Sequence, residues 1–158
     1  MTTNRFMLIG VMGLGALMGC TSVHQSTAKS GEPTRDPKAV MLDFYQVALG
    51  QKQVRPAFER FTSSTFVEHK PDVPVGDRES TIRYLEELVV SLPDAQWEVV
   101  RTIAEGDWVF LHAKFVPAPG APPYAIADVF RVQNGLIVEH WDVVAGPPKD
   151  PVNPHSRF

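Results

Sequence analysis

A chain of 158 residues, 44% hydrophobic and 21% charged, can close one core but falls short of two. Its net charge of −3 and the absence of any Lys or Arg run exclude general affinity for nucleic acid, which needs a basic face. The one cysteine, Cys20, excludes an internal disulfide and a thiolate-rich metal site.

Arg5 precedes an apolar, glycine-rich stretch that runs from Phe6 to Gly19 and ends at Cys20. A short positive segment, an apolar core and small residues before a cut form the secretory-signal pattern. Leu17-Met18-Gly19-Cys20 resembles the bacterial lipobox, which makes Cys20 the expected lipidated residue and residues 1–20 the expected signal peptide. The expected location is therefore the cell envelope, lipid-anchored, or the cytoplasm if the start is misassigned. Residues 21–36, rich in Ser, Thr, Lys, Gly and Pro, read as a flexible tether.

The folded part begins with a helix from Pro37, capped by Asp36 and striped by Val40, Met41, Phe44, Val47 and Ala48, with Gly50 as its stop. A short helix is expected over Pro56 to Phe61, and Phe66 to Lys70 reads as extended. A third helix is expected from Asp77 to Leu92, with Ile82, Leu85, Leu88 and Val89 on its inner face. The period then becomes that of strands: Gln96–Ala104 and Asp107–Val116 around a Glu105-Gly106 turn, then Tyr124–Gln133 and Leu136–Val144 around Asn134-Gly135. Asn-Gly is a strong hairpin signal, because both residues tolerate the positive φ of a type I′ turn. Residues 149–158 read as a loose tail. Helices followed by antiparallel strands make an α+β domain over residues 37–148: a curved, cone-like sheet wrapped around about three helices, with a pocket between them.

Counting back from Asn134-Gly135 pairs Asp128 with Trp141 and Phe130 with Glu139. Ile126, Asp128, Phe130 and Val132 then share a face with Ile137, Glu139, Trp141 and Val143, while His140 and Asp142 fall on the other. A carboxyl among Ile, Phe and Trp is costly to ionise, the condition that suits a general acid or base. A β-bulge would move the register by one residue and bring His140 to the Asp128 face instead. In the other hairpin the same counting pairs His112 with Val99 and puts Trp97, Val99, Arg101, Ile103, Trp108, Phe110, His112 and Lys114 on one face. His69, His112 and His140 lack the close spacing of a helical zinc motif, so no metal site is expected.

Three blocks carry a family resemblance: Phe66-Val-Glu-His69-Lys-Pro, Arg101 to His112, and Ala127-Asp128-Val-Phe-Arg131 through Gly135 to Asp142. They resemble SnoaL-like proteins of the nuclear transport factor 2-like superfamily. The resemblance implies a cone-shaped domain with a deep apolar pocket. It also implies a cofactor-free aldol-type cyclase, isomerase or dehydratase whose acid/base is the aspartate that Asp128 matches. His112 or His69 would then donate to an enolate oxygen. Trp141, Phe130, Tyr124 and, given a bulge, His140 would contact a hydrophobic small molecule. Homodimers are common in such proteins. This chain has Glu68-His69-Lys70 where the family commonly has Gln-His-Asn, and Val75-Gly76 near a common Asp-Gly pair. The alternatives are an envelope protein that binds an apolar ligand in the same pocket without chemistry, and an interaction module that uses the outer sheet face.

Overall fold

Asp36 and Pro37 together start the first helix, as a computed structural model of the chain, describing residues 35–158, shows. Cys20, the signal-type segment and most of the tether lie outside the described residues. Helix α1 (Pro37–Tyr45) has its proline in the first turn, and the Asp36 carboxylate accepts from the Lys38 N–H at 3.3 Å. It widens into a π-helical turn over Gln46–Gly50. Helix α2 (Val54–Phe61) starts two residues before the expected Pro56, which the first helical turn tolerates because N–H groups there lack partners anyway. Helix α3 (Arg78–Ser91) starts on a capping box in which Asp77 and Ser80 satisfy each other's backbone N–H.

Five strands form one sheet: β1 (Thr62–Glu68), β2 (Gln96–Glu105), β3 (Trp108–Val116), β4 (Tyr124–Gln133) and β5 (Leu136–Ala145). Their spatial order is β1-β5-β4-β3-β2, with β1 parallel to β5 and every other neighbour antiparallel. The α+β expectation holds. The helices pack on one sheet face, where Val109, Leu111, Ala113, Phe130, Val132 and Ile137 are buried. Phe58 sits at the centre of an edge-to-face aromatic cluster, 5.1 Å from Phe44 and 5.6 Å from Phe66.

Two register expectations are corrected. In β4–β5 the turn is as read, with Asn134 and Gly135 at φ +52° and +75°. A bulge at Val138, however, lets Val132 pair with Ile137 while Arg131 pairs with Glu139. Asp128 therefore faces Asp142, and Phe130 faces His140. The extra residue exchanges the two faces of β5 beyond it: His140, Asp142 and Val144 turn toward the helices, and Glu139, Trp141 and Val143 turn away. In β2–β3 the turn is Gly106-Asp107 rather than Glu105-Gly106, because only Gly106 takes the positive φ (+54°) there. His112 pairs with Arg101, and a second irregularity at Val100 carries Trp97 and Val99 to the core side.

The tail expected to be loose is held at its end. Arg157 donates to the carbonyls of Ala145 and Gly146 at 2.9 and 2.8 Å, and Phe158 stacks on His112. Among the described residues no helix is long and apolar enough to cross a membrane.

Candidate functional site

Between the helices and the inner sheet face lies a cavity of about 330 Å³, within the usual size of small-molecule sites. Its walls are mainly aromatic and aliphatic, with Phe44, Phe58, Phe66, Leu85, Trp97 and Phe115 among them. Polar groups in the lining come from α1, β1 and the segment after it, α3, β4 and β5.

Asp128 is the hub. Its side chain is buried on β4, between Leu111 of β3 and Asp142 of β5. The Tyr45 hydroxyl donates to Asp128 Oδ2 at 3.0 Å, and His140 Nε2 lies 3.2 Å from Asp128 Oδ1. On its other side His140 Nδ1 sits 2.9 and 2.8 Å from the two Glu68 oxygens. The Lys70 backbone N–H also donates to Glu68 Oε1 at 2.9 Å. Tyr45, Asp128, His140 and Glu68 thus form one continuous chain of hydrogen bonds. Beside it, Lys70 Nζ donates to Asp142 Oδ2 at 2.7 Å.

Local backbone explains each placement. Tyr45 ends α1 where the helix widens, and π turns of this kind recur at functional sites. The bulge at Val138 supplies His140 and Asp142. Glu68 is fixed by Gly76, whose carbonyl accepts the Glu68 N–H at 2.8 Å. Gly76 lies at φ +72°, and a Cβ there would come 2.7 Å from the Glu68 carbonyl oxygen, so only glycine fits.

The electrostatics follow from the partners. Burial lowers the proton affinity of His140, but its hydrogen bonds to Asp128 and Glu68, and their charges, outweigh it and raise the pKa from 6.5 to about 9. His140 is therefore an imidazolium at neutral pH, clamped between two carboxylates. Burial and the Asp128 charge push the Tyr45 phenol well above its ordinary value, so it stays a donor. Burial also lowers Lys70, yet its bond to Asp142 and the Asp142 charge leave it raised and protonated. No buried side-chain polar atom lacks a partner among the described residues, as a costly buried ion cluster demands.

The other expected site residues are placed elsewhere. His69 lies on the outer sheet face, stacked 4.2 Å from Trp141 with its Nε2 3.9 Å from Glu139. Trp141 points outward with it, displaced by the bulge from the pocket wall expected of it. His112 is also on the outer face, where its Nδ1 is 2.7 Å from the Arg101 guanidinium. Tyr124 borders Phe115 at 5.7 Å but does not line the cavity, whereas Phe130 and His140 do. Counting missed Tyr45, Glu68 and Lys70, and also Tyr84 of α3, which lines the cavity. For Glu68 a signal existed: it sits two residues after buried Phe66, on the same side of the strand. Among the described residues no group of three or more His, Cys, Asp or Glu side chains is arranged to hold a metal ion.

Residues 41–140 match the family model of the SnoaL-like domain. No curated protein matches the chain. Among solved structures, the chain is similar to IdmH from Streptomyces antibioticus, a candidate polyketide cyclase. Identity is 20%, with 69% of this chain and 91% of that one covered and a TM-score of 0.57. A candidate SnoaL-like polyketide cyclase from Jannaschia sp. CCS1 matches at 19% identity over 72% and 88%, TM-score 0.58. AclR from Streptomyces galilaeus, a candidate hydroxylase, matches at 22% identity over 70% and 90%, TM-score 0.56. At these identities the likeness is one of fold.

Proposed function

Because the chain belongs to the SnoaL-like domain family, we propose that it is a cofactor-independent enzyme moving a proton next to the carbonyl of a lipophilic substrate. The reaction is a cyclisation or isomerisation, with Asp128 as base. The observation that carries this reading is the Tyr45–Asp128–His140–Glu68 chain set into a mainly apolar cavity. In the proposed step Asp128 takes the α-proton, and the C–H electron pair moves through the carbon–carbon bond onto the carbonyl oxygen. Once Asp128 is protonated, the Tyr45 hydroxyl and the His140 Nε2–H are released from holding a carboxylate and can stabilise the enolate oxygen. The enolate carbon then attacks an internal carbonyl, whose π pair moves onto its oxygen and takes the proton back from Asp128, or the proton returns from Asp128 to another carbon.

The test is deuterium exchange at the α-carbon of aryl alkyl ketones in D₂O, followed by NMR. Wild-type protein should accelerate exchange, and Asp128→Asn should lower the rate at least about 100-fold. No acceleration by wild type, or equal rates in both proteins, contradicts the proposal. We further place this activity at the bacterial envelope, on the lipobox-like Leu17–Cys20 segment. Cys20→Ala should move the protein from the membrane to the soluble fraction; unchanged fractionation contradicts the anchor.

A further inference from the structure

We propose that this cavity selects lipophilic substrates bearing a protonated amine and turns carboxylates away. Its lining holds four carboxylates, Glu68, Asp72, Asp128 and Asp142, against two cationic groups, Lys70 and His140. Asp72 is exposed at the rim, so three carboxylates against two cations describe the enclosed part. The sign of that balance does not depend on His140, because loss of its proton only makes the cavity more negative. Apolar walls keep the field of an uncompensated charge from being screened.

Asp142 gives that charge a place. It faces Asp128 across the β4–β5 ladder, and its side chain is 11% exposed. Oδ2 is taken by Lys70, whereas Oδ1 makes no hydrogen bond among the described residues. An ammonium on a lipophilic ligand can bond Asp142 Oδ1 while its stem lies among Phe115, Trp97 and Tyr84, aromatic residues that line the same cavity. A ligand carboxylate in the same place meets Asp128 and Asp142, and both cationic groups that could answer it are already engaged. The substrate class is thus a lipophilic amino ketone. This inference rests on the proposed use of the cavity as the substrate site, but it is read out by binding alone.

The experiment is displacement of Nile red, an uncharged dye, from the full chain by an aryl-alkyl amine and by the carboxylate of equal length. The amine should bind at least about tenfold tighter, which corresponds to about 1.4 kcal/mol. Asp142→Asn should shrink the amine-to-carboxylate ratio and Lys70→Gln should enlarge it. Opposite shifts cannot come from a damaged fold, which would weaken both probes. Equal affinities, a preference for the carboxylate, displacement by neither probe, or both variants moving the ratio in one direction would overturn the proposal. If the ratio behaves as expected while ketone exchange does not occur, the amine selectivity stands and the catalytic reading falls.

Discussion

His140 and Trp141 are neighbours in sequence and sit in opposite worlds. His140 enters the cavity between two carboxylates and carries a positive charge at neutral pH. Trp141 faces away and stacks on His69, in a patch that also holds half-exposed Trp108. His112, on the same outer face, accepts from Arg101 and lies against Phe158. Three histidines of one domain therefore differ in chemistry because of their partners, and one extra residue at Val138 turns His140 into the interior. The inner face buries its ions hydrogen-bonded to one another. The outer face leaves its aromatic residues stacked and partly wet.

Deleting Val138 is the strongest way to break this contrast. An unbroken β4–β5 ladder would turn Glu139, Trp141 and Val143 inward in place of His140, Asp142 and Val144. The expected loss is more than about 4 kcal/mol, the range of a disrupted buried network, measured by urea unfolding. Near-native stability would show that the bulge does not sort the faces.

The next effect is on the pH dependence of stability. The native His140 pKa, about 9, lies above its unfolded value near 6.5, so its stabilisation is complete below pH 6.5 and disappears as pH rises through 9. That contribution is on the order of 3 kcal/mol. His140→Gln should therefore destabilise most at pH 6 and progressively less toward alkaline pH, as followed by unfolding midpoints. A pH-independent difference would contradict the ion cluster.

On the outer face, His69→Ala and His112→Ala should each change ketone exchange by less than about threefold, since neither side chain reaches the cavity. A hundredfold loss in either would return that histidine to the site. The last expected effect is a gain in stability. Val75 is β-branched, 87% exposed, and held at φ +66° beside Gly76. Val75→Asn should stabilise the protein by about 1 kcal/mol, because asparagine tolerates the left-handed region that valine resists.

Much of this was legible in the sequence. Period-3.6 stripes located the helices to within a few residues, Asn134-Gly135 located the last hairpin, and alternation from Asp128 to Val132 placed Asp128 on the buried face. The bulges were not legible, because nothing in Ile137-Val138-Glu139 or Val99-Val100-Arg101 distinguishes a paired residue from an inserted one. From that single ambiguity followed the wrong side for Trp141, while His140 reaches the cavity through the bulge that the counting left open. The Tyr45–Asp128 bond was hidden for another reason. It joins residues 83 positions apart, and only the packing of α1 on β4 brings them together.

The central claim is that His140 is a buried imidazolium shared by Asp128 and Glu68. A long-range ¹H–¹⁵N NMR titration of the ring nitrogens tests it directly. The expected result is both nitrogens protonated at pH 7.5, with a transition near 9 that Glu68→Gln moves downward. A neutral ring at that pH, titrating near 6.5 with or without Glu68, would contradict it.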